Sequence, residues 1–322
     1  MFDNGKRAAA FILIIGVLGI LIFYFSPLLD SIAMGIVFAY VSRPFMKRIP
    51  LSKAPSAILA TIMVVVPIAL VLILSLYDLG LWAMSEWKPT LEMVEEAVSQ
   101  LPAGIQRVLD VLPEGLGQEF LSIEGTKGMI LLILNFLLAV LLCCYLLIDG
   151  KKVVSFITDI FHVEDEDGKL IAACDKAISG IYIGSFYTAF IVAVITVPVL
   201  LAFRIPHILA FIGIMFLAAL IPILAEWMVL LIPLGYLLVI EEAPPTTLAT
   251  FIIIGAIFLY ILPELLIRPW LTGRQGKIHP LLMLFAFIGG GLAGGVSGFF
   301  LAPMFTGILV TIYRVRGSHG ER

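Results

Sequence analysis

Long runs of apolar, almost uncharged residues recur along the whole chain, and they constrain its fold more than any other feature. Because the bilayer core offers no water, each backbone N–H and C=O there must bond within helices or closed barrels. About 20 apolar residues suffice for a helix to cross. Five runs have this length: Ala8–Phe25, Pro55–Tyr77, Gly128–Ile148, Ser179–Phe203 and Thr246–Ile267. They predict an all-α polytopic membrane protein.

Three further apolar stretches complete the predicted membrane part. Pro27–Val41 is short and closes a tight hairpin with the first span at Ser26-Pro27. Pro206–Ile240 and Pro280–Tyr313 are too long for one helix and are interrupted by Gly and Pro. The sequence therefore predicts about eight membrane segments, two of them broken.

Loop charges predict the orientation, because cytoplasmic loops carry an excess of Lys and Arg. Lys6 and Arg7 place the N-terminus in the cytoplasm, and Arg314 and Arg316 place the C-terminus there. The loop Asp78–Lys127 holds nine acids and three bases, so it is expected outside. Apolar residues recur in it at helical spacing from Leu91 to Leu112, which predicts an extramembrane amphipathic helix.

Four regions follow from this order. Residues 1–77 form N-terminal membrane helices, and residues 78–127 the extracytoplasmic amphipathic segment. Residues 128–178 hold a membrane helix and a cytoplasmic connector, and residues 179–322 form a C-terminal core that contains both broken stretches. The acidic run Glu164–Asp167 lacks the spacing of a calcium-binding loop, so it is interpreted as a solvated turn and no metal site is predicted.

The two broken stretches resemble each other. Each begins with Pro beside a His, contains Phe-Ile-Gly, and meets another Pro before a final apolar arm. As one helix, 34 or 35 residues would be about 50 Å long, against a hydrocarbon core of about 30 Å. Hairpins that return to the same side fit better, and loop charges open the first outward and the second inward. Such inverted repeats with interrupted helices are typical of secondary transporters.

Glycine is concentrated at the break of the second stretch. Backbone freed by Gly and Pro can line a solute or ion path, but Gly-rich faces also let helices pack closely, and the sequence leaves both interpretations open. The candidate path residues are Pro222, Gly289, Gly290, Gly291, Gly294, Gly295 and Gly298.

The chain resembles the autoinducer-2 exporter-like family of prokaryotic permeases (PerM-type proteins). The similarity is strongest from Tyr260 to Pro303, with its Gly-Arg loop, His-Pro pair, glycine cluster and closing Ala-Pro. YLLIDG at Tyr145–Gly150, SGIYIGS at Ser179–Ser185 and the stretch ending at Leu224 are also similar. The resemblance implies a homo-oligomeric carrier of the prokaryotic inner membrane, for which a pentamer is expected. Named members export autoinducer-2, and others exchange sodium for protons.

One departure from the family pattern introduces a carboxylate. Where the family continues Ile-Pro with Gly-Pro, this chain has Ala225-Glu226. An ionisable group within a membrane is a functional candidate by default. Glu226 is therefore a candidate for the ion path, although a hairpin tip that reaches the far interface would leave it facing water beside Trp227.

Other polar residues lie at the ends of the broken stretches. Arg204, His207, Arg274, His279 and Pro280 are predicted hairpin entrances, or else interfacial anchors. Glu264 and Arg268 are one helical turn apart, which favours a local ion pair at the helix end over a coupling site.

Three functional hypotheses follow. The first is a secondary transporter that exports a small polar solute by alternating access, without a cofactor but with H⁺ or Na⁺ as a possible coupling ion. The second is a monovalent cation/proton antiporter that uses Glu226. The third is a non-transporting membrane scaffold. The sequence contains no Ser-His-Asp set or Walker loop, which argues against an enzyme, and no basic patch for nucleic acid.

Overall fold

The computed structural model describes residues 24–85, 123–160, 168–221, 225–239, 241–272 and 278–317. Its regular elements are all helical. A 3₁₀ turn (Ser26–Leu28) precedes the first α-helix, and a π-helical segment (Ala256–Ile267) lies between the seventh and eighth α-helices. The α-helices are α1 (Leu29–Met46), α2 (Lys53–Ser85), α3 (Ile123–Ile160), α4 (Lys169–Ala202), α5 (Ile208–Leu220), α6 (Ala225–Val239), α7 (Pro245–Gly255), α8 (Arg268–Thr272) and α9 (Pro280–Gly317).

By length and composition alone, six helical stretches are long and apolar enough to cross a membrane, although the last of them is interrupted at Gly294 and Gly295. They are Ser26–Met46, Lys53–Trp82, Ile130–Ile160, Lys169–Ala202, Pro245–Ile267 and Leu281–Val315. The prediction of an all-α, multi-pass membrane protein is thereby confirmed. The predicted span Ala8–Phe25, apart from its last two residues, the amphipathic segment from Leu91 to Leu112 and the acidic turn Glu164–Asp167 lie outside the described residues.

The helices extend beyond the apolar runs that predicted them. Helix α3 continues to Ile160 and α4 begins at Lys169, so most of the predicted connector Asp149–Lys176 is helical. Lys, Asp and Ala are compatible with a helix that continues into water. Hydropathy therefore located the membrane-crossing part of each helix and not its ends.

Helix α4 lies at the centre of the fold, where it contacts α1, α5, α9 and the π-helical segment. Helix α5 packs between α2 and α4, and its Phe211, Met215 and Phe216 are almost completely buried. Gly35 of α1 lies so close to Leu142 of α3 that a Cβ atom would be only 2.9 Å from that side chain. This tight crossing fixes α1, which contacts both α4 and α9.

Candidate functional site

The first broken stretch consists of two short helices. Helix α5 ends at Leu220 and α6 begins at Ala225, and the two are in contact. Thirteen residues of helix are about 20 Å long, which is less than the hydrocarbon thickness of about 30 Å. The break predicted in the middle of Pro206–Ile240 is present, although Pro222 itself lies outside the described residues.

The beginning of α5 is held by an aspartate from another helix. Asp78 of α2 accepts a hydrogen bond from the Ala210 backbone N–H at 3.0 Å. Its other oxygen lies 3.0 Å from Nδ1 of His207, whose ring stacks on Trp82 with centroids 5.8 Å apart. A carboxylate at a helix N-terminus binds unpaired N–H groups at the positive end of the helix dipole. Asp78 therefore caps α5 across the tertiary structure.

The predicted hairpin entrances differ in their surroundings. His207 has a left-handed backbone (φ 54°) and is engaged by Asp78, whereas Arg204 (φ 55°) is exposed. Arg204 borders an open cavity of about 370 Å³ that is also lined by Thr246, Thr247 and Thr250. His279 is exposed and accepts from the Leu281 N–H at 3.3 Å. Pro280 is the first residue of α9, and Arg274 lies outside the described residues.

The other end of α5 contacts a buried ion pair. Arg268 Nη2 donates to the Ala219 carbonyl at 2.8 Å and lies 2.8 Å from Glu264 Oε1. Its Nη1 donates to the hydroxyl of Ser185 on α4 at 3.3 Å. The Arg268 and Glu264 side chains are only 12% and 6% exposed. The predicted local ion pair is present, but the helix that it caps is α5 and not its own.

A π-helical backbone carries this ion pair. In an α-helix the ring of Pro263 would clash with the carbonyl of Leu259, four residues earlier. The wider π-helical turn relieves that clash, and the Arg268 N–H bonds to the Pro263 carbonyl five residues back. Segments of π-helix frequently mark functional positions.

The second broken stretch reverses direction within α9. Gly294 (φ −136°, ψ 18°) and Gly295 (φ 56°, ψ −136°) leave the helical conformation. Phe287 and Phe299 would be about 18 Å apart along a straight helix, but their ring centroids are only 5.0 Å apart. The residues on the two sides of this glycine turn therefore form two arms that pack against each other.

The six clustered glycines have different surroundings. Gly290 and Gly298 face each other so closely that a Cβ atom on either would overlap the other's backbone, which supports close packing at these two positions. A Cβ atom on Gly291 would be in ordinary contact with Phe299, at 3.5 Å. Gly289, Gly294 and Gly295 have no neighbour within 4 Å of an added Cβ, so path lining stays a prediction for them.

An aspartate from the N-terminal half also holds the glycine turn. Asp30 Oδ1 of α1 accepts from the Ser297 N–H at 2.8 Å, at the beginning of the second arm. The Ser297 hydroxyl donates to the Gly294 carbonyl at 2.9 Å. The sequence analysis missed Asp30. The available signal was that Asp30 is the single charged residue within Pro27–Val41.

Helix α4 contacts both broken stretches through neighbouring residues. The Tyr182 hydroxyl donates to the Phe300 carbonyl on the second arm at 2.6 Å. Phe186 packs on Phe300 and also on Phe216 of α5. Ser185 lies between Tyr182 and Phe186 in sequence and contacts Arg268. Periodicity could not single out these residues, because they belong to an ordinary apolar run.

Glu226 is the second residue of α6, immediately after the first break. Its side chain lies outside the described part of the structure, so a role in an ion path stays a prediction.

The fold defines a multi-pass helical membrane protein in which two apolar stretches, Pro206–Ile240 and Pro280–Tyr313, are interrupted near their middles. The chain matches the model of the AI-2E family transporter over residues 10–316, and it belongs to this family. The resemblance found in the sequence is therefore confirmed, and the family is one of transporters and not of enzymes.

Three similar proteins extend the comparison. A "Putative transport protein" of Archaeoglobus fulgidus is 35% identical over 317 residues, which cover 93% of this chain and 91% of that protein. The "Putative transport protein MJ1177" of Methanocaldococcus jannaschii is 27% identical, with 93% of each chain covered. A protein of Methanothermobacter thermautotrophicus with the same name as the first is 26% identical over 84% of this chain and 83% of its own.

Proposed function

We propose that this protein is a secondary transporter that exports a small polar solute, similar to autoinducer-2, by alternating access. The two broken stretches act as re-entrant hairpins that open to opposite sides of the bilayer and serve as its gates. The observation that carries the proposal is the contact of both broken stretches with one face of α4, through Tyr182 and Phe186.

The breaks offer the two kinds of backbone group that a polar solute needs. The end of α5 carries backbone carbonyl groups, of which that of Ala219 is bound by Arg268. The second arm of α9 begins with N–H groups, of which that of Ser297 is bound by Asp30. Interrupted helices in secondary transporters use such ends to bind charged and polar parts of their substrates. In this mechanism, movement of either hairpin along α4 exposes the solute to one side at a time.

The assembly and orientation belong to the same proposal. The protein is a homo-oligomer, a pentamer, in the inner membrane of a prokaryote, with both termini in the cytoplasm. A gradient of H⁺ or Na⁺, or of the solute itself, drives export, and Glu226 is a candidate to carry the ion. The partners are the lipid bilayer and the solute, and no nucleic acid is involved.

Counterflow in proteoliposomes tests the proposal. Purified protein is reconstituted with an unlabelled autoinducer-2-like furanosyl sugar inside, and entry of the labelled sugar is measured. We expect entry faster than in empty liposomes, and about three- to tenfold slower with Tyr182→Phe, because the bond to the Phe300 carbonyl is lost.

Tyr313→Phe is the matched control, because Tyr313 lies on the same helix as Phe300 but is 80% exposed. It should exchange the sugar at the wild-type rate. Wild-type protein that exchanges no faster than empty liposomes would contradict export of this class of solute.

A further inference from the structure

Three oxygen atoms from three separate elements surround the Arg268 guanidinium. They are a carboxylate oxygen of Glu264 on the π-helical segment, the Ala219 carbonyl at the end of α5 and the Ser185 hydroxyl on α4. We call this set the oxygen cage. Both charged side chains are nearly completely buried, so bulk water contributes little to their solvation.

The cage has the composition of a cation site. The end of α5 carries the negative end of a helix dipole, and Glu264 adds a full negative charge. Interrupted-helix ends, unwound carbonyls and carboxylates bind Na⁺ in other secondary transporters. Here the guanidinium occupies that position as a cation tethered to the chain.

A buried polar group one helical turn from Ser185 has no hydrogen-bond partner among the described residues. The Thr188 hydroxyl is completely buried and has no hydrogen-bond partner among the described residues. Thr188 follows Ser185 by three residues, which places both on the same face of α4, about 4.5 Å apart along the axis. An unpartnered buried hydroxyl on this face of α4 is a candidate additional ligand for a cation bound in the cage.

We propose that the oxygen cage binds a monovalent cation of the Na⁺ class in exchange for the Arg268 guanidinium. Since one positive charge replaces another, the net charge of the cage stays the same, whereas a divalent cation would leave one positive charge uncompensated. Arg268 is the first residue of α8, at the end of the apolar stretch, so its long side chain can extend to the interface when displaced. The inference rests on the proposed transport function and names the class of its coupling ion.

Equilibrium binding of radioactive sodium to the purified full-length protein tests the exchange. Because Arg268→Gln removes the competing cation, we expect it to bind sodium at least about tenfold more tightly than wild type. Glu264→Gln should abolish binding, and Arg268→Lys, which retains a tethered cation, should bind as weakly as wild type. An ion pair with a purely structural role predicts no gain of affinity in Arg268→Gln, and that result would overturn the proposal.

Asp175→Asn is the control, because it alters an ion pair with Arg43 that lies outside the cage, and it should bind sodium as wild type does. Each variant is first checked for monodisperse elution. If Arg268→Gln does not fold, Ser185→Ala decides, since loss of one cage oxygen should weaken sodium binding severalfold, and unchanged binding would overturn the proposal. Sugar counterflow without sodium binding overturns the cation site alone, whereas sodium binding without counterflow overturns the proposed export alone.

Discussion

At the scale of single residues, the glycine turn depends on one backbone conformation. Gly295 has φ 56° and ψ −136°, a region that L-residues with a side chain rarely adopt. Gly289, six residues earlier, is exposed and has open space where a Cβ atom would lie. Of these two glycines of one cluster, therefore, only Gly295 is required by its backbone conformation.

We expect Gly295→Ala to destabilise the detergent-solubilised protein by about 1–3 kcal/mol, because alanine is strained in this conformation. The midpoint of thermal unfolding, followed by intrinsic fluorescence, measures the effect. Gly289→Ala is the control and should leave the midpoint unchanged or raise it, since alanine is the better helix former. Equal midpoints for both variants would show that the turn at Gly295 has another conformation.

At the scale of elements, each broken stretch is capped by an aspartate from a different N-terminal helix. Asp78 of α2 binds the start of α5, and Asp30 of α1 binds the start of the second arm of α9. In neither case is the cap supplied by a neighbouring residue in the chain. The helix pair α1 and α2 thereby fixes the position of both proposed gates.

Amide hydrogen exchange should distinguish the effect of the Asp30 cap from that of the Asp78 cap. Because losing a cap costs about 1 kcal/mol, Asp30→Ala should speed exchange about fivefold around Ser297 and leave α5 unchanged. Asp78→Ala should speed exchange at Ala210 by a similar factor and leave exchange around Ser297 unchanged. Each variant is the other's control, and an equal increase at both sites would mean that the aspartates stabilise the fold generally.

At the scale of the whole molecule, the loop charges predict the orientation of the described helices in the membrane. Arg48, in the exposed connection between α1 and α2, is expected in the cytoplasm. Glu242, exposed between α6 and α7, is expected outside. The two positions should therefore react differently with a reagent that does not cross the bilayer.

Thiol labelling of intact cells tests this orientation after Cys143, Cys144 and Cys174 are changed to Ser. A membrane-impermeant maleimide should label Glu242→Cys but not Arg48→Cys, and permeabilised cells should show both. Labelling of Arg48→Cys alone would invert the topology and, with it, the direction assigned to each hairpin.

The sequence predicted the apolar spans, the two breaks and the family, because each of these depends on residues that are close together in the sequence. It also predicted the pairing of Glu264 with Arg268, which are four residues apart on one helical turn. It did not predict that this pair would cap α5, since Ala219 is 49 residues away in the chain. Glycine spacing likewise could not show that Gly290 meets Gly298 across a reversal, which depends on the backbone angles of Gly294 and Gly295.

The sequence by itself determined that this chain is a multi-pass membrane protein with two interrupted segments, because hydropathy and the helix-breaking effect of Gly and Pro are local properties. Only the tertiary structure decided which groups meet at the interruptions. Asp30 and Ser297 are 267 residues apart, and Arg43 and Asp175 are 132 residues apart. Such partners are set by how helices pack and cross, and many pairings of buried polar groups satisfy the same apolar pattern.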